Sequence, residues 1–340
     1  GQDDLIITGP ELQEYINRPV TVPRPGYHAE SVYHFKEDGF ELRERKIALD
    51  FHPMRGSSSL GETYASVSQY IFGNWKDGGK LMGLAPYGTA QAYGKTLLEQ
   101  DEEGDLAFTT KWKQNHNHSQ RKENPLRYAD LAARVQHDLE NALLQRSKKI
   151  ANLNDSRNLV LAGGVALNSV ANQKIVETAL FENHYFMPAS HDAGIALGAA
   201  AAAHYHINGK AKGQIVSHDY FGKTYKDDLV RTSIKQHEKW CCVENADTQK
   251  LADLLVDEKI CGYFANGSEF GPRALGHRSI LASPFSKEMW AKLNKSIKYR
   301  EEFRPYAPIV LAEDAPLYFE MGKEVESPFM LRVVKVRKEY

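Results

Sequence analysis

The chain has 340 residues, 42% hydrophobic and 26% charged, enough for two globular domains. Forty-three Lys and Arg against 44 Asp and Glu leave a formal charge of -1. That balance argues against a nucleic-acid or other polyanion-binding face and confines any anion site to a local cluster. The three cysteines, Cys241, Cys242 and Cys261, suit neither a disulfide framework nor a structural zinc site, which points to a reducing compartment.

The chain opens Gly1-Gln2-Asp3-Asp4, without Met, and closes on Leu331–Tyr340, which alternates apolar and basic residues like a strand that continues. An internal fragment of a longer protein is the expectation. No secretion signal opens the chain, and the apolar stretch Ala196–His204 is too short to span a bilayer, so a cytoplasmic protein without a membrane partner is expected.

In chain order, Ser31–Phe35, Phe40–Arg43 and Lys46–Phe51 read as short strands of a meander, with Asp38-Gly39 as a hairpin turn. Leu60, Tyr64, Val67, Tyr70 and Ile71 recur at helical spacing across Leu60–Phe72. Gly79–Gly88 reads as a glycine-punctuated loop, and Glu99–Pro125 as a polar, exposed excursion. Tyr128–Ile150 is amphipathic, with Leu131, Val135, Leu139, Ala142 and Leu143 on one face. Asn158–Leu161 reads as a buried strand running into Gly163-Gly164, followed by a helix over Val165–Thr178 and a small-residue helix over Ile195–His206. Strand, glycine turn and helix in succession predict an α/β domain. Asn208–Gln214 reads as a linker, and a second α/β unit begins around Asp219–Asp228. In it, Thr248–Glu258 and Met289–Ile297 read as helices and Ile260–Phe264 as a strand. The expected domains are therefore 1–212 and 213–340.

Arg273, Arg278, Lys298, Arg300 and Arg304 fall in one stretch of the second domain, among Gly267, Gly271 and Gly276 and Pro272, Pro284, Pro305 and Pro308. Glycines let a backbone approach a ligand and prolines stiffen a loop. Arginine forks hold phosphate or carboxylate oxygens in bidentate geometry. Such a cluster is more often a solvated face paired with acids, here Glu269, Glu301 and Glu302. Its placement between apolar residues favours a site for a phosphate-like anion.

GPRALGHRSILASP (Gly271–Pro284) followed by IKYREEFRPYAPIVL (Ile297–Leu311) resembles the signature of the NodU/CmcH-type O-carbamoyltransferases, which modify antibiotics and nodulation factors. The resemblance implies an actin-like ATPase (ASKHA, threonylcarbamoyl-transferase-like) domain portion over 1–212. It implies part of a YrdC-like domain, which makes carbamoyl-adenylate from carbamoyl phosphate and ATP, over 213–340. On the family's pattern, Arg273, Lys298 and Arg304 hold the carbamoyl phosphate and neutralise charge as phosphate leaves. Arg278 and Arg300 also match, and are equally readable as structural partners of Glu269 and Glu302.

In the first domain, NLVLAGGVALN (Asn158–Asn168) ends a strand on two glycines, a weak phosphate-binding signal alone. The resemblance places Gly163, Gly164 and Asn168 around ATP. LGETYASVSQYIFG (Leu60–Gly73) and GKLMGLAPYG (Gly79–Gly88) match the first domain too, and Lys80 is a candidate for a phosphate contact. Asp192, in SHDAGIALGAA, reads first as a helix cap. The resemblance makes it a ligand of Fe(II) or a similar divalent metal. The family's paired metal histidines, its acceptor-activating histidine and a C-terminal Asn-Thr-Ser-Phe-Asn-type motif are not found. The expected cofactors are ATP, the divalent metal and Mg2+. The expected partners are carbamoyl phosphate and a hydroxyl-bearing small-molecule acceptor, with no nucleic acid. The resemblance leaves room for a homodimer. Two other readings share the domain types: a tRNA threonylcarbamoyladenosine factor, disfavoured by the charge balance, and a non-catalytic nucleotide-binding remnant.

Overall fold

The computed structural model describes residues 3–7, 26–36, 39–48, 59–100, 104–109, 124–209, 216–240 and 247–340. The chain divides into two units, Gly1–Lys212 with Leu331–Val334, and Gly213–Met330 with Lys335–Tyr340.

The first unit opens with an antiparallel sheet of order β1-β2-β3, formed by β1 (Asp3–Ile7), β2 (Gly26–Lys36) and β3 (Gly39–Ala48). Lys36 pairs with Gly39 across the reversal; Asp38, assigned to the turn, lies outside the described residues. The two strands expected at Phe40–Arg43 and Lys46–Phe51 fall in the one strand Gly39–Ala48; residues 49–51 of the expected range lie outside the described residues. Its register shifts between Val32↔Glu44 and Tyr33↔Leu42, so Arg43 is the extra residue of a bulge. The third strand comes from β1 instead.

In α1 (Leu60–Phe72), Ser59 caps the start and Gly73 closes the end in the left-handed region. All five residues of its expected apolar face are buried. The Gly79–Gly88 loop is instead mostly helical: α2 (Gly78–Leu84) runs into a 3-10 turn at Ala85–Tyr87. Glycine costs a helix roughly 0.5–1 kcal/mol relative to Ala, and complete burial of Leu81 and Leu84 offsets it. The polar excursion begins with a hairpin of β4 (Leu98–Gln100) and β5 (Leu106–Phe108); residues 110–123 lie outside the described ones.

The spine of the unit is α3 (Ala129–Leu153), whose Leu131, Val135, Leu139, Ala142 and Leu143 are buried as one face. Its last turns bind the sheet electrostatically. Arg146 pairs with Glu44 (2.7 Å) and Asp105 (2.9 Å), and Lys149 with the same two carboxylates (3.1 and 2.9 Å).

Then β6 (Asn158–Leu161) pairs in parallel with β7 (Asn183–Phe186), and α4 (Ser169–Glu177) connects them. The strand, glycine turn and helix of this βαβ unit were expected; the second strand was not, and β6, expected to be buried, has only Leu159 buried. The expected helix over Val165–Thr178 breaks at Asn168. A 3-10 turn (Gly164–Leu167) precedes it and Asn168 caps α4. Next comes α5 (Gly194–Asn208), none of whose residues is buried. Leu331–Val334 rejoins this unit: Asn172 donates to the Leu331 carbonyl (3.0 Å) and Arg332 to Gln173 Oε1 (2.9 Å).

The second unit contains α6 (Asp227–Gln236), α7 (Thr248–Val256), an antiparallel pair of β8 (Cys261–Phe264) and β9 (Arg278–Leu281), and α8 (Lys287–Lys292). From α8 the chain passes into a six-residue π-helical turn, Leu293–Lys298. The architecture is mixed α/β. Among the described residues no helix is long and apolar enough to cross a membrane.

One buried charge pair ties α3 to the preceding loop. Asp138, 1% exposed, accepts from the Leu97 N–H (2.7 Å) and from Arg134 (3.1 Å), and Arg134 donates to the Ala90 carbonyl at 3.0 and 2.8 Å. Asp138→Ala leaves the Arg134 charge and the Leu97 N–H buried without this acceptor. Denaturant unfolding is expected to show a loss of about 3–5 kcal/mol.

Candidate functional site

Arg273 lies in the loop between β8 and β9, and its guanidinium is largely buried. Burial lowers its pKa, and the nearby positive charge of Arg304 lowers it further. Its Nε is buried with no hydrogen-bond partner among the described residues. A buried guanidinium beside a second one is unfavourable by itself. A bound anion reverses the sign of that interaction, because both forks then donate charge-assisted hydrogen bonds to it.

Two carboxylates shape this loop without pairing with Arg273. Glu269 Oε1 accepts from the backbone N–H groups of Leu275 (2.6 Å) and His277 (2.9 Å), and its Oε2 lies 3.1 Å from Arg278 Nε. Asp219, 2% exposed, accepts from the Gly271 N–H at 3.2 Å. The loop is thus pinned at residues 271, 275 and 277, on both sides of Arg273. Close backbone approach makes the pinning possible. Gly222 N–H donates to the Ser268 carbonyl (2.9 Å), and a Cβ on Gly267 would collide with the Gly222 carbonyl. The rings of His218, Tyr220 and His277 stack over the same junction, with centroids 3.9 Å apart at each step.

Arg278 is a loop fastener: besides its ion pair with Glu269 it donates to the Gly271 carbonyl (2.7 Å). Arg300 fastens the other loop. It donates to Asn294 Oδ1 (2.7 Å) and the Pro305 carbonyl (3.1 Å), not to Glu302, and stacks on Tyr306 at 4.4 Å. Lys298 ends the π-helical turn, exposed. The structure therefore joins Arg273 and Arg304 electrostatically, while Lys298 forms no hydrogen bond or ion pair among the described residues.

The other candidates belong to the first unit. Gly163 has φ 90°, a conformation that requires glycine, and the Gly164 Cα faces open space. This turn can admit a phosphate against the backbone. Asn168 is turned inward: its Oδ1 accepts from the Ala171 N–H (3.0 Å), and its amide exchanges hydrogen bonds with Gln136 (2.9 and 3.1 Å). The same network takes in Tyr64, Glu140 and Lys174. Burial, reinforced by the Glu140 charge, holds the Tyr64 phenol far above its usual range. Lys80 pairs with Asp77 at 3.1 Å. Asp192 is exposed just before α5. Among the described residues no three His, Cys, Asp or Glu side chains gather as metal ligands, so Asp192 alone does not make a metal centre.

The carbamoyltransferase N-terminus profile matches residues 26–201 and the carbamoyltransferase C-terminus profile matches residues 252–340. This chain belongs to the carbamoyltransferase family. It is 34% identical to the nodulation protein NolNO of Sinorhizobium fredii, over 83% of this chain and 43% of that protein. It is 30% identical to nodulation protein U of Rhizobium fredii, over 86% of this chain and 52% of that protein. An uncharacterized protein of Synechocystis is 34% identical over 83% of this chain and 50% of its own length. The chain spans about half the length of these relatives. The N-terminal match contains Lys80, Gly163, Gly164, Asn168 and Asp192; the C-terminal match contains Arg273, Lys298 and Arg304.

Asp219, Trp290 and Asn294 were not singled out from sequence. A carboxylate ahead of a Gly-Pro-Arg loop carries no periodic signal. Asn294, inside an otherwise helical run, did carry one, since asparagine is a poor interior helix residue.

The two carboxylates respond to pH with opposite sign. Burial pushes Glu269 up, but the Leu275 and His277 N–H groups outweigh it and hold its pKa below the ordinary glutamate value. Its contribution is present above that value and is lost as pH falls through the depressed one. Burial, with the Glu269 charge, raises Asp219, which therefore opposes folding as pH rises through its own value. Unfolding of Glu269→Gln is expected to lose less stability than the native chain between roughly pH 5 and pH 3. Parallel denaturant titrations at each pH check this.

Proposed function

We propose that this chain is part of an ATP-dependent O-carbamoyltransferase acting on a hydroxyl-bearing small molecule. The largely buried Arg273, whose Nε has no hydrogen-bond partner among the described residues, beside Arg304 and inside the family's C-terminal region, is the observation that supports it. In this reading the second unit is YrdC-like and the first an actin-like ATPase portion. Arg273, Arg304 and Lys298 hold the phosphate of carbamoyl phosphate. As phosphate departs, the guanidiniums take up the growing charge, which costs no reorganisation because both loops are already pinned. Water displaces the phosphate from carbamoyl phosphate and leaves carbamate, whose oxygen then attacks the α-phosphorus of ATP; pyrophosphate leaves and carbamoyl-adenylate forms. The acceptor hydroxyl attacks its carbamoyl carbon, loses its proton, and AMP departs.

In the first unit, the open Gly163-Gly164 turn is the backbone that would face ATP or the adenylate, and Lys80 would have to give up its pairing with Asp77 to reach a phosphate. Asn168 would support that turn from behind rather than touch the nucleotide. Asp192 is the position for a divalent metal of the iron type, and Mg2+ would accompany ATP; both require ligands beyond Asp192.

Full-length protein given labelled carbamoyl phosphate and ATP is expected to release pyrophosphate and form labelled carbamoyl-adenylate. Arg273→Gln is expected to lower that rate about 10²–10³-fold. A native enzyme that releases no pyrophosphate sinks the proposal.

A further inference from the structure

Arg304 reaches its place through its own backbone. Its carbonyl accepts two side-chain hydrogen bonds, from Trp290 Nε1 (3.1 Å) in α8 and from Asn294 Nδ2 (3.2 Å) in the π-helical turn. Asn294 is fully buried (0% exposed), and every polar atom of its side chain serves the loop that carries Arg304. Its Oδ1 accepts from Arg300 Nε (2.7 Å) and from the Tyr306 hydroxyl (2.9 Å). Its backbone carbonyl accepts the Tyr299 and Arg300 N–H groups. A π-helical turn lets one residue offer its side chain and carbonyl together in this way, and such turns recur at functional sites. Tyr299 leaves the turn in the left-handed region at φ 46°, an unfavourable conformation for tyrosine that the surrounding bonds must hold.

The need for such anchoring follows from charge. Arg273 and Arg304 repel each other. Arg273 is held by the pinned Gly271–His277 loop. The two bonds to the Arg304 carbonyl hold the other side of the pair against that repulsion, which leaves less reorganisation for an arriving anion to drive.

We infer that Trp290 and Asn294 are positioning residues for anion capture, fixing the Arg304 carbonyl so that its guanidinium stays beside Arg273 before the anion arrives. This rests on the anion-site reading above and adds the residues that pre-set it.

The test is inorganic phosphate binding to the chain by calorimetry, read beside each variant's melting temperature. Trp290→Phe keeps an aromatic ring and removes one donor to the Arg304 carbonyl. Asn294→Asp keeps the acceptor for Arg300 and Tyr306 and removes the other donor. Tyr306→Phe removes one hydrogen bond to the same Asn294 without touching the Arg304 carbonyl, and keeps the ring under Arg300. Phosphate affinity is expected to fall about three- to tenfold in Trp290→Phe and about tenfold or more in Asn294→Asp. In Tyr306→Phe it is expected to stay within about twofold of native, although melting falls as far as in Trp290→Phe. A merely structural role predicts that affinity follows melting temperature. Equal weakening in Trp290→Phe and Tyr306→Phe, or native affinity in a folded Trp290→Phe, therefore overturns the inference and leaves the anion site standing. A native chain that binds no phosphate removes the site and the inference together.

Discussion

A guanidinium taken out of water must find a counter-charge, and among the described residues Arg273 forms no ion pair and its Nε has no hydrogen-bond partner. The structure places two carboxylates near its loop, yet both are spent on backbone N–H groups: Asp219 on Gly271, Glu269 on Leu275 and His277. The loop is stiffened, and Arg273 Nε is left buried with no partner among the described residues. Such an unfavourable term is offset when an anion binds, as proposed for this loop. The neighbouring Arg304 enlarges the term. Much of the second unit's local geometry follows: the close contact of Gly222 with Gly267, the His218–Tyr220–His277 stack, and the π-helical turn that holds the FRPYAP segment.

The first unit solves a different problem. Its Gly163-Gly164 turn carries no side chain that could hold a ligand, so its shape must come from behind. The buried network of Tyr64, Gln136, Asn168, Glu140 and Lys174 supplies that support by joining α1, α3 and α4 next to the turn. Buried polar networks of this sort are favourable only when nearly every member is satisfied, and here each member has a partner. The N-terminus profile falls within the first unit, and the C-terminus profile covers the second unit from residue 252 together with Leu331–Val334 of the first. The two polar designs therefore belong to separate modules: one presents charge, the other a bare backbone.

The family, the α/β class and the long helices were legible in the residues themselves. Leu131, Val135, Leu139, Ala142 and Leu143 repeat with the period of a helix, and burial followed that period. GPRALG and FRPYAP carry their meaning in order and spacing, so the arginines could be named before any contact was known. The glycines of Gly79–Gly88 misled because propensity is local, whereas Leu81 and Leu84 answer to the core. The strands Asn183–Phe186 and Arg278–Leu281 were missed because four-residue strands exist only through their partners.

By itself, then, the sequence determined the family and where the basic residues and the glycine turn lie along the chain. It could not divide the five basic residues by role, because a guanidinium that binds a ligand and one that fastens a loop are the same group. Only the tertiary structure decided that Arg278 and Arg300 spend their donors on Glu269, Gly271, Asn294 and Pro305, and that Asn168 faces inward. Those outcomes depend on hydrogen-bond partners far along the chain and on burial, and neither is a property of a residue's neighbours in sequence.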